Sequence, residues 1–141
     1  MKFHFKGIHI VSSSMTFLFS LGMASAVTVF PFVFYANKYI AKRDTTRTHE
    51  QIHLQQQLEC GLAGVFVFIV GFVLFDWGLV LLPAVFLFYI LYFAMYLVNL
   101  VRIKDKYEAY RQIPFEREAF NNDNIPMYPE LRKPFAWIKR L

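Results

Sequence analysis

One cysteine, Cys60, stands in the whole chain, so no intramolecular disulfide framework can form. Charge is thin as well: Asp, Glu, Lys and Arg make up 18% of the residues, against about 25% in ordinary globular proteins. No internal repeat and no low-complexity linker breaks the sequence, and 141 residues are expected to form a single membrane-embedded domain. Nor is there a separate basic module. The Lys and Arg residues adjoin apolar stretches, which argues against a nucleic-acid partner despite a pI near 9.4. What the chain has in abundance is apolar: 57% hydrophobic residues, 17 of them Phe, and a mean hydropathy of +0.37.

From Gly61 to Val101 the sole Asp, Glu, Lys or Arg is Asp76. One bilayer crossing needs about 20 residues, so this stretch is too long for a single span. It divides at "DWG", residues 76–78, where a charge, a Trp and a Gly suit a turn at a membrane surface. Two helices, roughly 58–75 and 79–101, are expected to form a transmembrane hairpin over 58–101; a chain this small could hardly bury so much apolar length in a soluble core. The turn has no Lys or Arg beside it. All of the 15 basic residues except Lys2 and Lys6 lie in the flanks, from Lys38 to Arg47 and from Arg102 to Arg140. The positive-inside rule then puts both flanks, including the C-terminal segment 102–141, on the cytoplasmic side of a bacterial inner membrane. The basic pI reads as attraction to anionic membrane lipids.

Residues 7–36 form an apolar N-terminal segment without Asp, Glu, Lys or Arg, too short to cross twice. One crossing and partial embedding are both open. Ala24-Ser25-Ala26 fits the small-residue pattern of a signal-peptidase site, but cleavage there would export the basic flanks against the charge rule, so retention is expected. "VTVFPFVFYANKYI", residues 27–40, is β-branched and aromatic and predicts a short β element. The expected fold is mainly α, integral to the membrane: a helical hairpin carrying a metal-binding helix over 44–60, with that β element before it.

The helix over 44–60 holds the chemistry. Asp44 or Thr45 can cap it, and "THEQIHLQQQLE", residues 48–59, contains His-Glu-x-x-His. His49 and His53 stand four residues apart on one face, so both imidazoles can reach one zinc ion. Glu50 lies about 100° around the helix, where it can serve as general base toward water at that zinc without being a ligand. The bland reading of the same stretch is a polar helix start with solvated side chains. A catalytic zinc needs a third protein ligand. Glu59 stands where one common pattern has a third His, but it faces elsewhere on a continuous helix, and the amide of Gln57 is a poor ligand. Glu108, Glu116 and Glu118 follow the hairpin, which returns the chain to the same side. Pro114 can open a helix at "PFEREAF" with Glu116 and Glu118 in its first turns, although acids there are also favoured by the helix dipole alone. Tyr110 and Arg111 are candidate oxyanion stabilisers, or ordinary interfacial anchors beside Tyr107. The terminal "RKPFAWIKRL" reads as a surface-lying membrane anchor, with a protein contact as the second choice. Gln56 and Gln57 read as a solvated face or as hydrogen-bond partners of ligands or substrate. His4 and His9 are expected to be unrelated to the metal.

Together, "FPFVFYANK", "THEQIHLQQQLE", an apolar hairpin, "AYRQIPFEREAF" and the terminal "RKPFAWIKRL" resemble a family of small bacterial membrane proteins, commonest among Bacteroidetes, over roughly residues 27–141. That family is similar to zinc peptidases whose third ligand is a Glu on a later helix, three residues before an Ala. The resemblance implies Glu116, three residues before Ala119, as third ligand, with Glu118 as second choice. It also implies a metallopeptidase acting on a membrane-associated protein or peptide. Those peptidases often follow the Ala with Asp or Asn to support the first histidine; here Phe120 follows, and Asn121, Asn122 or Asp123 would have to take over. Two further classes stay open: an accessory subunit of a membrane protein complex with a structural or vestigial metal site, and a metal-dependent membrane-anchored regulator.

Overall fold

The computed structural model describes residues 5–75 and 86–141. The expected "DWG" turn at 76–78, the beginning of the expected second span and His4 lie outside the described residues. The chain is mainly helical (67%) with one small three-stranded sheet. By contacts it divides into two compact units, residues 1–55 with 118–136, and residues 56–117 with 137–141. The division falls inside two continuous helices.

In the first unit, β1 (Ile8–Val11) leads into α1 (Ser13–Ser20), β2 (Ala26–Val29), β3 (Phe32–Tyr35) and α2 (Lys38–Ala41). The sheet order is β1-β3-β2. β1 runs parallel to β3 with Val11 opposite Tyr35, and β2 runs antiparallel with Ala26 opposite Tyr35. The β-branched and aromatic run therefore does form strands, but it recruits β1 from the apolar N-terminal segment. No described helix within 7–36 exceeds the eight residues of α1 (Ser13–Ser20). Its end is set by Leu21 in the left-handed region and by Gly22 at φ +76°, where a Cβ would meet the Phe17 ring at 2.9 Å. Ala26, Val33, Tyr35 and Leu54 form this unit's core, with Ile40 and Ala41 packed on it.

α3 (Asp44–Phe75) is a single helix of 32 residues, so the expected metal-binding helix and first span are one element, about 48 Å long. Among the described residues it is the one helix long and apolar enough to cross a membrane. α4 (Leu87–Ile103) is a shorter apolar helix of 17 residues. Lys104 in the left-handed region stops α4, and Asp105 caps α5 (Lys106–Arg111) by accepting from the Glu108 N–H at 2.8 Å. α6 (Pro114–Asn122) opens on its proline as expected, and α7 (Tyr128–Leu131) and a 3-10 turn (Ala136–Arg140) complete the chain.

The second unit's core joins Cys60, Phe88, Ile113, Phe115 and Trp137. Phe115 meets the Phe88 and Trp137 rings at centroid distances of 4.6 and 4.5 Å. The C-terminal segment thus departs from the membrane-anchor expectation: Trp137 is a core residue, because the Phe115 and Phe88 rings offer it a better-packed apolar site than a surface would. Phe135, by contrast, is exposed.

Candidate metal centre

His49 and His53 project from one side of α3, as four-residue spacing requires, and their Nε2 atoms stand 3.1 Å apart. Two nitrogens bound at about 2.0–2.1 Å to one tetrahedral ion would be about 3.3 Å apart, so the pair is already near ligand spacing. Both rings are buried, at 8% and 6% exposed. Were Nε2 to ligate an ion, Nδ1 of His49 would be left facing Asp123, whose Oδ2 lies 3.7 Å away. Asp123 is among the three residues expected to replace the missing acid after Ala119, and it lies beside His49. The Phe120 ring meets the His49 ring edge-on at 4.6 Å.

Glu116 precedes Phe120 by four residues on α6 and so shares its face. Glu116 is 2% exposed, and its Oε1 accepts a 2.7 Å hydrogen bond from the Tyr92 hydroxyl. His49, His53 and Glu116 each offer one ligand atom, and these atoms lie within 4.8 Å of one another. Two imidazoles and a carboxylate are a donor set for a divalent ion, so this group could hold a metal. Glu118, the second choice, is engaged elsewhere. Its carboxylate accepts from Arg132 Nε at 2.7 Å, from Arg132 Nη2 at 3.1 Å and from the Tyr128 hydroxyl at 3.1 Å.

Glu50 is buried beside this group. The Thr28 hydroxyl on β2 donates to its Oε2 at 2.6 Å, and lies 3.2 Å from the Glu50 carbonyl oxygen. Tyr35, on β3, keeps its proton to well above the usual range: burial is the main cause, the Glu50 charge adds to it, and Arg47 opposes both. The Tyr35 oxygen in turn stands 2.8 Å from His9 Nδ1. His9 is therefore a partner of the sheet residue behind Glu50.

The glutamine run differs most from expectation. Gln55, Gln56 and Gln57 are all buried, and each amide holds a different segment. Gln55 donates to the Pro129 carbonyl at 2.6 Å, Gln56 to the Phe115 carbonyl at 3.1 Å, and Gln57 accepts from the Tyr89 hydroxyl at 3.0 Å. A buried amide must be answered, and each of these is. Tyr110 packs on the cluster around Ile113 and Phe115, while Arg111 lies over the Tyr107 ring at 5.7 Å. Tyr92, within the apolar helix α4, is a phenol that does reach a candidate ligand. An open cleft of about 410 Å³ is lined by Lys6, His9, Asp44, Arg47, Thr48 and Gln51, on roughly the opposite face of α3 from the histidines. The chain matches no family model, no curated protein and no solved structure.

Proposed function

We propose that this chain is a membrane-bound zinc metallopeptidase, acting on a membrane-associated protein or peptide near the cytoplasmic membrane surface. The observation that carries the reading is the convergence of His49, His53 and Glu116 donor atoms within 4.8 Å, with Glu50 next in sequence to a ligand and buried. Zinc bound there would supply the Lewis acidity that makes water nucleophilic near neutral pH and polarises a peptide carbonyl. The chain's own residues do the rest. Glu50 takes the proton from the attacking water as the new C–O bond forms, and gives it to the departing amine nitrogen as the C–N bond breaks. The Thr28 hydroxyl donates to Oε2 of Glu50 and so orients that carboxylate. Tyr92 orients Glu116 by its hydrogen bond, and Asp123 faces the far nitrogen of His49. Proximity to a membrane is supported by α3 itself, which carries the histidines and continues as the apolar helix. Sidedness rests on the Lys and Arg bias of the flanks.

One observation favours a second reading. The three donors are only 8%, 6% and 2% exposed, as in a closed structural site, and this suits an accessory subunit or metal-dependent regulator. Metal content by mass spectrometry on the detergent-purified chain tests the site: about one zinc per chain, lost in His53→Ala and in Glu116→Ala, is expected. Absence of metal in the wild type after zinc is supplied refutes the peptidase and leaves the accessory subunit with a vestigial site. Glu50→Gln separates the two readings, since it should keep the metal and abolish peptide cleavage. Full complementation of a deletion strain by Glu50→Gln would leave only the structural site.

A further inference from the structure

The end of the sheet that carries α1 is built inside out. Thr16 and Ser20 are buried at 1% and 8% exposed, while Phe17, Leu18, Leu21 and Met23 are 67%, 61%, 77% and 75% exposed. A surface element in water shows the reverse order. Several polar groups of the segment are answered within it. The Ser12 hydroxyl accepts from the Met15 N–H, Thr16 donates to the Ser12 carbonyl at 2.8 Å, and Ser20 to the Ala24 carbonyl at 3.3 Å. At the turn, the Gly22 and Met23 N–H groups donate to the Phe17 and Ser20 carbonyls. Hydrocarbon offers no hydrogen bonds, and backbone satisfied in this way is the kind that can enter it.

Charge around the tip fits the same surroundings. No Asp, Glu, Lys or Arg occurs in residues 7–37, and Lys38, Lys42 and Arg43 follow at once, all exposed. Because β1 and β3 are parallel, with the Ser12 N–H donating to the Tyr35 carbonyl, α1 and α2 leave the sheet at the same end. The apolar tip therefore has three cations and Tyr39, 83% exposed, at its base. Cations and an aromatic at that level are what an anionic headgroup layer attracts. We propose that residues 15–23 insert into one leaflet of an anionic bilayer without crossing it, with Lys38, Lys42 and Arg43 at the headgroups. α1 is about 12 Å long against a hydrocarbon core of about 30 Å, so its reach is limited to one leaflet. This is independent of the metal centre, and a chain without metal would keep it.

The test uses the full chain in nanodiscs of anionic phospholipid. A nitroxide is placed singly at Leu18→Cys, Leu21→Cys or Glu130→Cys in a Cys60→Ala background, and its collisions with oxygen and with a water-soluble nickel chelate are compared. Oxygen should dominate at positions 18 and 21, and nickel at exposed position 130. Nickel dominating at the tip overturns the proposal, as does exclusion of both reagents, which would mean that a second copy covers it. Replacing Lys38, Lys42 and Arg43 together by Gln should lower the oxygen-to-nickel ratio at position 18; an unchanged ratio removes the headgroup role. If Cys60→Ala fails to fold, p-benzoylphenylalanine at position 18 of the otherwise native chain replaces the label. A photo-adduct with lipid then supports insertion, and one with another chain, or none, overturns it.

Discussion

The two halves of α3 obey opposite rules. From Thr48 to Gln57 the helix buries Thr48, His49, Glu50, His53, Gln55, Gln56 and Gln57; from Leu62 to Leu74 it exposes Leu62, Phe66, Val67, Ile69, Val70, Phe72, Val73 and Leu74. A buried polar side chain costs free energy unless it is answered, and the polar half is answered by Thr28, Pro129, Phe115 and Tyr89. An exposed apolar side chain costs free energy only in water. One helix can follow both rules if its polar half is wrapped by protein and its apolar half by lipid. Protein supplies hydrogen bonds and lipid does not, so the polar chemistry has to gather where the chain folds over it.

The largest effect expected on the polar half comes from Arg132→Met. It strands the Glu118 carboxylate, which is fully buried, and removes a donor to Gln55, at a cost of about 3–5 kcal/mol. Denaturation in detergent reads this directly. Adding Glu118→Leu should recover most of the loss; no recovery would show that Arg132 acts by packing alone. On the apolar half, Val67→Lys puts a charge where lipid is expected, at a cost of about 3 kcal/mol to insertion. The variant should leave the membrane fraction in part. If it partitions like the wild type, the apolar half faces something other than hydrocarbon.

Asp123→Asn is a smaller change that sharpens the comparison within the polar half. Removing the charge that faces His49 Nδ1 should weaken metal affinity by about tenfold to a hundredfold, with the fold intact. Competition with a chelator measures it, and equal affinity would assign Asp123 to the surface. The smallest effect is at high pH. The folded state holds the Tyr35 proton more tightly than the unfolded chain does, chiefly because the ring is buried. This stability is therefore complete below about pH 10, the ordinary tyrosine range, and is lost as pH rises beyond it. Tyr35→Phe should flatten that alkaline fall in stability; an identical slope would mean that another group causes it.

Much of the candidate site was legible because its signals are local. Four-residue spacing puts His49 and His53 on one face of any helix, and Pro114 marks where the helix bearing Glu116 begins. The choice between Glu116 and Glu118 was harder, since both occupy the same short helix. It turns on Arg132, 14 residues beyond Glu118, which takes that carboxylate into an ion pair. Thr28 and Tyr92 carried no signal at all. A threonine in a strand and a tyrosine in an apolar helix are ordinary where they stand, and their partners lie 22 and 24 residues away. For the glutamine run the sequence leaves a solvated face and a hydrogen-bonding role both open, because periodicity tells which residues share a face but not what the face meets.

By itself the sequence determined the helical majority, the strand-forming run, the histidine pair and the long apolar stretch, because each depends on residues near one another along the chain. Tertiary structure alone decided that β1 joins the sheet, that Trp137 enters a core, that the glutamines are buried and that Glu118 pairs with Arg132. Those outcomes rest on hydrogen bonds and packing between distant segments, and each side chain takes the partner that best repays its loss of water.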